Sequence, residues 1–198
     1  MARREPSRST IVATNLVTFF LVITAAFVLY FIGSRIRHAV TGDGSIGTHQ
    51  WVSIDRADPF PVEALETQSV PVALRIDDAS TGEIMYAMGR DVAPGLLGLG
   101  VLWFLRLIVQ SVRDGDPFTA ANVKRLRIIG VLLVIGAPLL EILSSAFDQA
   151  LAASAFGSNS GQGLQISASG PVAGLGLFVL AHVFAQGVRL REDVEGAV

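Results

Sequence analysis

The sequence predicts an all-α integral membrane protein with four transmembrane helices and a small extracytoplasmic β cap. Four long apolar runs divide the chain. Only 16% of the 198 residues are charged, whereas a soluble domain usually carries about a quarter. Two of the segments between the apolar runs contain residues that alternate between apolar and polar, as strands do. These features indicate that lipid is the solvent for much of the chain.

The first apolar run covers residues 11–33 and follows three arginines, Arg3, Arg4 and Arg8. A cleaved signal peptide has the same basic start, but its apolar core is only roughly 7–15 residues long. The longer run here predicts an uncleaved transmembrane helix.

Three further apolar runs cover residues 92–112, 128–147 and 170–188. Each approaches the roughly 20 residues that a helix needs to cross the hydrocarbon layer of a bilayer. Helices are expected because lipid offers the backbone no hydrogen-bond partners.

Lysine and arginine near the helix ends predict the orientation of the chain. Residues 1–10, the loop 113–127 and the tail 189–198 hold most of them, whereas the loop 148–169 holds none. Arg35 and Arg37 oppose this pattern but are outnumbered. The positive-inside rule therefore places both termini in the cytoplasm, and residues 34–91 and 148–169 outside.

The outer segments contain four strand candidates. Residues 70–76 alternate and can pair with residues 83–86 across the turn-forming residues 77–82. Residues 51–54 and 164–167 are further candidates. Because a two-stranded hairpin is marginal on its own, we expect these pieces to combine into one small β cap.

Ionisable side chains within membrane spans indicate function, because their burial costs free energy. Arg106 and His182 each lie about six residues from the inner end of a span, at a depth close to that of Asn15. One interpretation places the three residues in one polar layer inside the bundle. The favoured interpretations are that Arg106 extends to the lipid headgroups and that His182 is a packing residue.

Glu141 lies one helical turn after Pro138 in the third span. A kink beside a carboxylate is typical of transport sites, but Glu141 is also close enough to the outer interface to pair with Arg35 or Arg37. Its depth differs from that of Arg106 by more than roughly 10 Å, so no direct ion pair between Arg106 and Glu141 is expected.

The loop before the third span predicts an interaction surface. Asp116, which precedes Pro117, or Thr119 can cap a helix that continues into the span. The candidate residues for interaction at the inner surface are basic: Arg113, Lys124, Arg125 and Arg127.

Small residues at helical spacing predict close packing between helices. This spacing does not distinguish contacts within the chain from contacts in a dimer. The residues are Gly95, Gly98, Gly170, Gly174, Ala181 and Ala185.

No catalytic constellation is visible in the sequence. The absence of cysteine excludes disulfides and thiolate chemistry, and a net charge of −2 provides no global attraction to nucleic acid. We therefore expect no enzymatic activity, no cofactor, no metal and no direct nucleic-acid binding.

Two segments resemble a bacterial membrane family known as domain of unknown function 2975. They are residues 113–130, which include Asn122, and residues 183–193. The resemblance covers residues 91–198 and implies four spans in a bacterial plasma membrane. Members are often encoded beside short helix-turn-helix regulators, which suggests a regulatory partner. It implies no activity and no catalytic residues.

The leading hypothesis is a membrane protein that acts by interaction, as a sensor or regulatory partner. One alternative is an accessory subunit of a larger membrane complex, such as a transporter or respiratory assembly. A third is a small transporter that uses Glu141, Arg106 and His182.

Impermeant labelling tests the predicted topology. Because both outer segments face away from the cytoplasm in this topology, cysteines introduced at Ser45 and Ser158 should label in intact cells. A cysteine at Ser7 should not, and labelling there would overturn the orientation.

Overall fold

Four helices in the computed structural model are long and apolar enough to cross a membrane, and the protein is therefore a multi-pass membrane protein. The structure describes residues 8–41, 46–53, 69–76, 79–156 and 166–196. The elements in chain order are α1 (Arg8–Thr41), β1 (Ile46–Ser53), β2 (Ser69–Ile76), α2 (Thr81–Arg113), α3 (Ala120–Val131), a π-helical turn (Leu132–Gly136), α4 (Ala137–Phe156) and α5 (Ser169–Gly196).

The third predicted span is built from α3, the π-helical turn and α4, which follow one another without a gap. Thr119 is the N-cap, and its side chain accepts a hydrogen bond from the amide of Asn122. The π-helical turn, in which the amide of Ala137 donates to the carbonyl of Leu132, lies directly before Pro138. Since proline has no amide proton, the helix has to change its hydrogen-bond pattern near this point.

The strand pairing predicted for the β cap is wrong. β2 pairs antiparallel with β1, with Ile76 opposite Ile46 and Ser69 opposite Ser53. Residues 83–86, the predicted partner strand, lie in α2. The described residues form one two-stranded sheet. A further strand was predicted at residues 164–167. Residues 166 and 167 are not in a strand, and residues 164 and 165 lie outside the described part of the chain.

A capping box explains why α2 begins early. The amide of Ser80 donates to Oε2 of Glu83 at 2.7 Å, and the amide of Glu83 donates to Oγ of Ser80 at 3.4 Å. This reciprocal pair satisfies two amides at the helix start and favours helix over strand for the residues that follow. The segment 34–91 is helical at both ends, through Thr41 and from Thr81.

The chain divides into two compact units. The first comprises Met1–Tyr30, Ala93–Glu141 and Ile166–Val198, and the second comprises Phe31–Val92 and Ile142–Gln165.

Each unit has its own buried cluster. In the first, Ile108 of α2 packs with Leu126 and Ile129 of α3 and Ala181 of α5. In the second, Ile46 of β1 packs with Ile84 and Ala87 of α2 and Leu151 of α4.

Small residues bring α5 against the third span within the first unit. A Cβ at Gly174 would lie 2.7 Å from the carbonyl oxygen of Gly130 and 3.0 Å from the amide nitrogen of Val134. A Cβ at Gly170 would lie 2.7 Å from Cβ of Ala137. The predicted packing residues Gly170 and Gly174 thus contact other helices of the same chain.

The remaining predicted packing residues lie on α2 and α5. Gly95 faces Val28 of α1, and Gly98 faces Thr24 of the same helix at an ordinary contact distance. Ala181 is buried in the cluster of the first unit, and Ala185 lines a groove between α3 and α5.

We predict that Gly174→Ala lowers the free energy of unfolding by about 1–3 kcal/mol, because the added methyl group meets backbone atoms that cannot move independently. Gly176→Ala is the matched control, since a Cβ there has nothing within 4 Å. The measurement is unfolding of the purified protein in detergent micelles. Equal stability of the two variants would contradict the packing.

Candidate functional site

The α2–α3 connection, residues 114–119, is an ordered turn held by backbone hydrogen bonds. Beyond the last helical residue of α2, the amide of Asp114 donates to the carbonyl of Gln110 and that of Gly115 to the carbonyl of Val112. Gly115 has φ +86°, a conformation that glycine adopts without strain. This left-handed residue ends the helix and turns the chain.

Asn122 joins the connection to both helices. It is fully buried, and its Nδ2 donates to Oγ of Ser111 and to the carbonyl of Pro117, both at 2.9 Å. Its Oδ1 accepts from Nη1 of Arg125 at 2.8 Å. Ser111 in turn donates to the carbonyl of Asp116 at 2.7 Å. Both side-chain donors and the acceptor of Asn122 are thus satisfied in a site that excludes water.

Arg125 stabilises the fold rather than presenting a charge to the surface. It is half-buried, and its Nη1 also donates to the carbonyl of Leu107 in α2 at 3.1 Å. The role predicted for Arg125 at the inner surface stays a prediction. The other three predicted residues, Arg113, Lys124 and Arg127, are exposed.

The connection also binds the C-terminal end of α5. Asp116 forms an ion pair with Arg191. The ring of Phe118 lies 5.2 Å from that of Phe184, and a Cβ at Gly187 would lie 2.6 Å from the Phe118 ring. Glycine at position 187 therefore leaves the space that Phe118 occupies, and residues of the α2–α3 connection fix the end of α5.

A groove of about 430 Å³ runs between α3 and α5 beside this connection. Three basic side chains, Lys124, Arg127 and Arg189, and one acidic side chain, Glu192, line it. Its apolar lining includes Val123 and Val188.

Among the described residues, no hydrogen bond joins Asn15, Arg106 and His182 in a polar layer. Asn15 and His182 lie on exposed helix faces, and His182 Nε2 contacts the side chain of Gln186 at 3.3 Å. Arg106 is half-buried, and its Nε has no hydrogen-bond partner among the described residues.

Glu141 has a partner other than the predicted arginines. Its Oε2 accepts a hydrogen bond from the amide of Ser167 at 2.6 Å, just before α5 begins at Ser169. A carboxylate near a helix N-terminus is stabilised by the helix dipole. This arrangement gives the Glu141 carboxylate a hydrogen-bond partner within the first unit.

Arg35 belongs to a chain of alternating charges in the second unit. Arg35 binds Asp91, Nε of Arg90 binds the same carboxylate at 2.9 Å, and Nη1 of Arg90 binds Asp148 at 3.0 Å. Nη2 of Arg90 donates to the carbonyl of Gly47 in β1 at 3.1 Å. Sequence reasoning missed this network, although each of its members lies just outside the apolar run of a predicted span.

No group of three or more histidine, aspartate or glutamate side chains that could hold a metal occurs in the described parts of the chain.

A comparison with protein families matches residues 87–198 to the family described as Protein of unknown function (DUF2975). No curated protein and no solved structure matches the chain. The matched residues include the α2–α3 connection, α3 and α5.

We predict that Asn122→Ala lowers the free energy of unfolding by about 1–3 kcal/mol, because it leaves the buried polar groups that Asn122 binds without a partner. Asn15→Ala is the matched control, since Asn15 is exposed. It should change stability by less than about 0.5 kcal/mol. Chemical unfolding in micelles provides the measurement, and an equal cost for both variants would contradict the site.

Proposed function

We propose that this chain, which belongs to the DUF2975 family, is a non-enzymatic membrane protein that acts through a protein partner at the C-terminal end of α5. The proposal includes a bacterial plasma membrane with both termini in the cytoplasm, so that the partner is cytoplasmic.

The observation that carries the proposal is the helical extension of α5 beyond the predicted end of its span at residue 188. α5 continues to Gly196, and Leu190 and Val194 lie one turn apart in the extension. Leu190 is 67% exposed and Val194 is 68% exposed. Two apolar side chains at this spacing are the pattern by which a helix docks into an apolar groove of another protein.

Preorganisation of the extension supports the same conclusion. Arg191, between the two apolar residues in sequence, is paired with Asp116, and Phe118 contacts Phe184 one turn before Val188. An anchored helix loses little conformational entropy when a partner binds it.

The charge of the extension favours a basic partner. Glu192 and Asp193 are both exposed between Leu190 and Val194 in sequence. Nucleic-acid-binding regulators carry basic surfaces, and a helix-turn-helix regulator, which the family resemblance suggests, has this character. In this role the membrane protein would hold or release the regulator at the membrane.

Photo-crosslinking in living cells tests the proposal. A photoreactive residue at Asp193 should yield an adduct with a cytoplasmic protein, and Leu190→Ser should reduce the adduct roughly tenfold, because a buried leucine contributes about 1.5–3 kcal/mol to association. Val40→Ser is the control, since Val40 is 80% exposed at the end of α1.

Two outcomes would contradict the proposal. One is an adduct whose yield does not depend on Leu190. The other is a stoichiometric adduct with an integral membrane protein, which would instead support the accessory-subunit alternative.

A further inference from the structure

We propose that the groove between α3 and α5 binds the phosphate headgroup of one anionic phospholipid. The groove is lined by Lys124, Arg127 and Arg189, with Glu192 as its acidic member. Basic pockets between membrane helices at the cytoplasmic surface are typical sites for anionic headgroups.

The three cations are available to a ligand. None of Lys124, Arg127 and Arg189 forms an ion pair within the part of the chain that the structure describes. The neighbouring basic residues are engaged otherwise, since Arg125 binds the carbonyl of Leu107 and Arg191 binds Asp116. The groove therefore presents three cations against one carboxylate, that of Glu192.

The position of the groove along the helices fits a headgroup. Lys124 and Arg127 precede the predicted start of the third span at residue 128, and Arg189 follows the predicted end of the fourth span at residue 188. All three line one groove, so α3 enters and α5 leaves the apolar layer side by side. Cations at this level meet lipid phosphates, while the apolar atoms below them meet acyl chains.

The shape and lining of the groove suit a lipid better than a small ion. Its volume of about 430 Å³ is well above what one inorganic phosphate needs and lies within the range of roughly 300–1,000 Å³ that is typical of ligand pockets. Val123, Ala185 and Val188 supply an apolar wall beside the cations. A phospholipid presents both chemistries, a phosphate and an adjoining acyl chain.

This site shares Glu192 with the proposed partner surface, but its cations lie in the groove whereas Leu190 and Val194 are largely exposed, and the two tests alter different residues. The two proposals can therefore fail independently.

Native mass spectrometry of the full-length protein tests the site. The protein is released from micelles that contain equal amounts of phosphatidylglycerol and phosphatidylcholine. One phosphatidylglycerol should be retained in preference to phosphatidylcholine. Arg127→Gln should weaken this retention about fivefold and the combined Lys124→Gln and Arg127→Gln about 30-fold, as expected for the loss of one and two cations near an anionic headgroup.

Two control variants make the test specific. Arg8→Gln removes an exposed cation from α1, outside the groove, and should leave retention unchanged. Glu192→Gln removes the acidic lining residue and should strengthen retention, an effect that a damaged fold would not produce.

Competition identifies the ligand class. Inorganic phosphate at millimolar concentration should not displace the lipid, and displacement would assign the groove to free phosphate and overturn the proposal. Preferential binding of an acidic peptide over phosphatidylglycerol would assign the groove to a protein. Equal retention of the two lipids, or retention unaffected by Lys124→Gln with Arg127→Gln, would also overturn it.

Discussion

A polar group that is buried away from water costs free energy unless the chain supplies it with a hydrogen-bond partner. Asn122 shows how this constraint is met in the first unit. It is fully buried at the start of α3 and uses both amide protons and its oxygen on Ser111, Pro117 and Arg125. The carbonyl of Leu107, in the last two turns of α2, is bound by the same arginine. Deeper in the first unit the packing is apolar and depends on small residues such as Gly174.

The second unit meets the same constraint with charge. Arg35, Asp91, Arg90 and Asp148 alternate in sign, and their side chains are between 11% and 24% exposed. Removal of one member would leave its neighbour as an uncompensated charge in a poorly hydrated site, which is costlier than the loss of the contact alone. The network joins residues of α1, α2 and α4, and the carbonyl of Gly47 extends it to β1. Pairing of this kind specifies which helix ends meet.

The length of the apolar runs predicted the four spans, because a long apolar run in lipid has few stable structures other than a helix. The partner of β2 was predicted wrongly because residues 83–86 follow the turn-forming residues 77–82, as the second strand of a hairpin would, while the capping box of Ser80 and Glu83 favours a helix. Counting residues from a helix end gives depth but not the direction of a side chain. Asn15, Arg106 and His182 therefore have similar depths, although Asn15 and His182 lie on exposed faces. The buried contacts of Asn122 depend on α2 meeting α3, which a single sequence does not reveal.

The contacts of the α2–α3 connection, residues 114–119, are made within the chain. Gly115 turns the chain, Thr119 caps α3, and Asp116 and Phe118 hold α5, so these residues act on the protein's own helices. Residues committed to internal contacts are poorly placed to bind a partner as well, because a partner would first have to break those contacts. The polar chemistry of the α2–α3 connection is therefore structural, and the proposed recognition falls to the groups that this connection positions. These are the exposed side chains of the α5 extension and the cations of the α3–α5 groove.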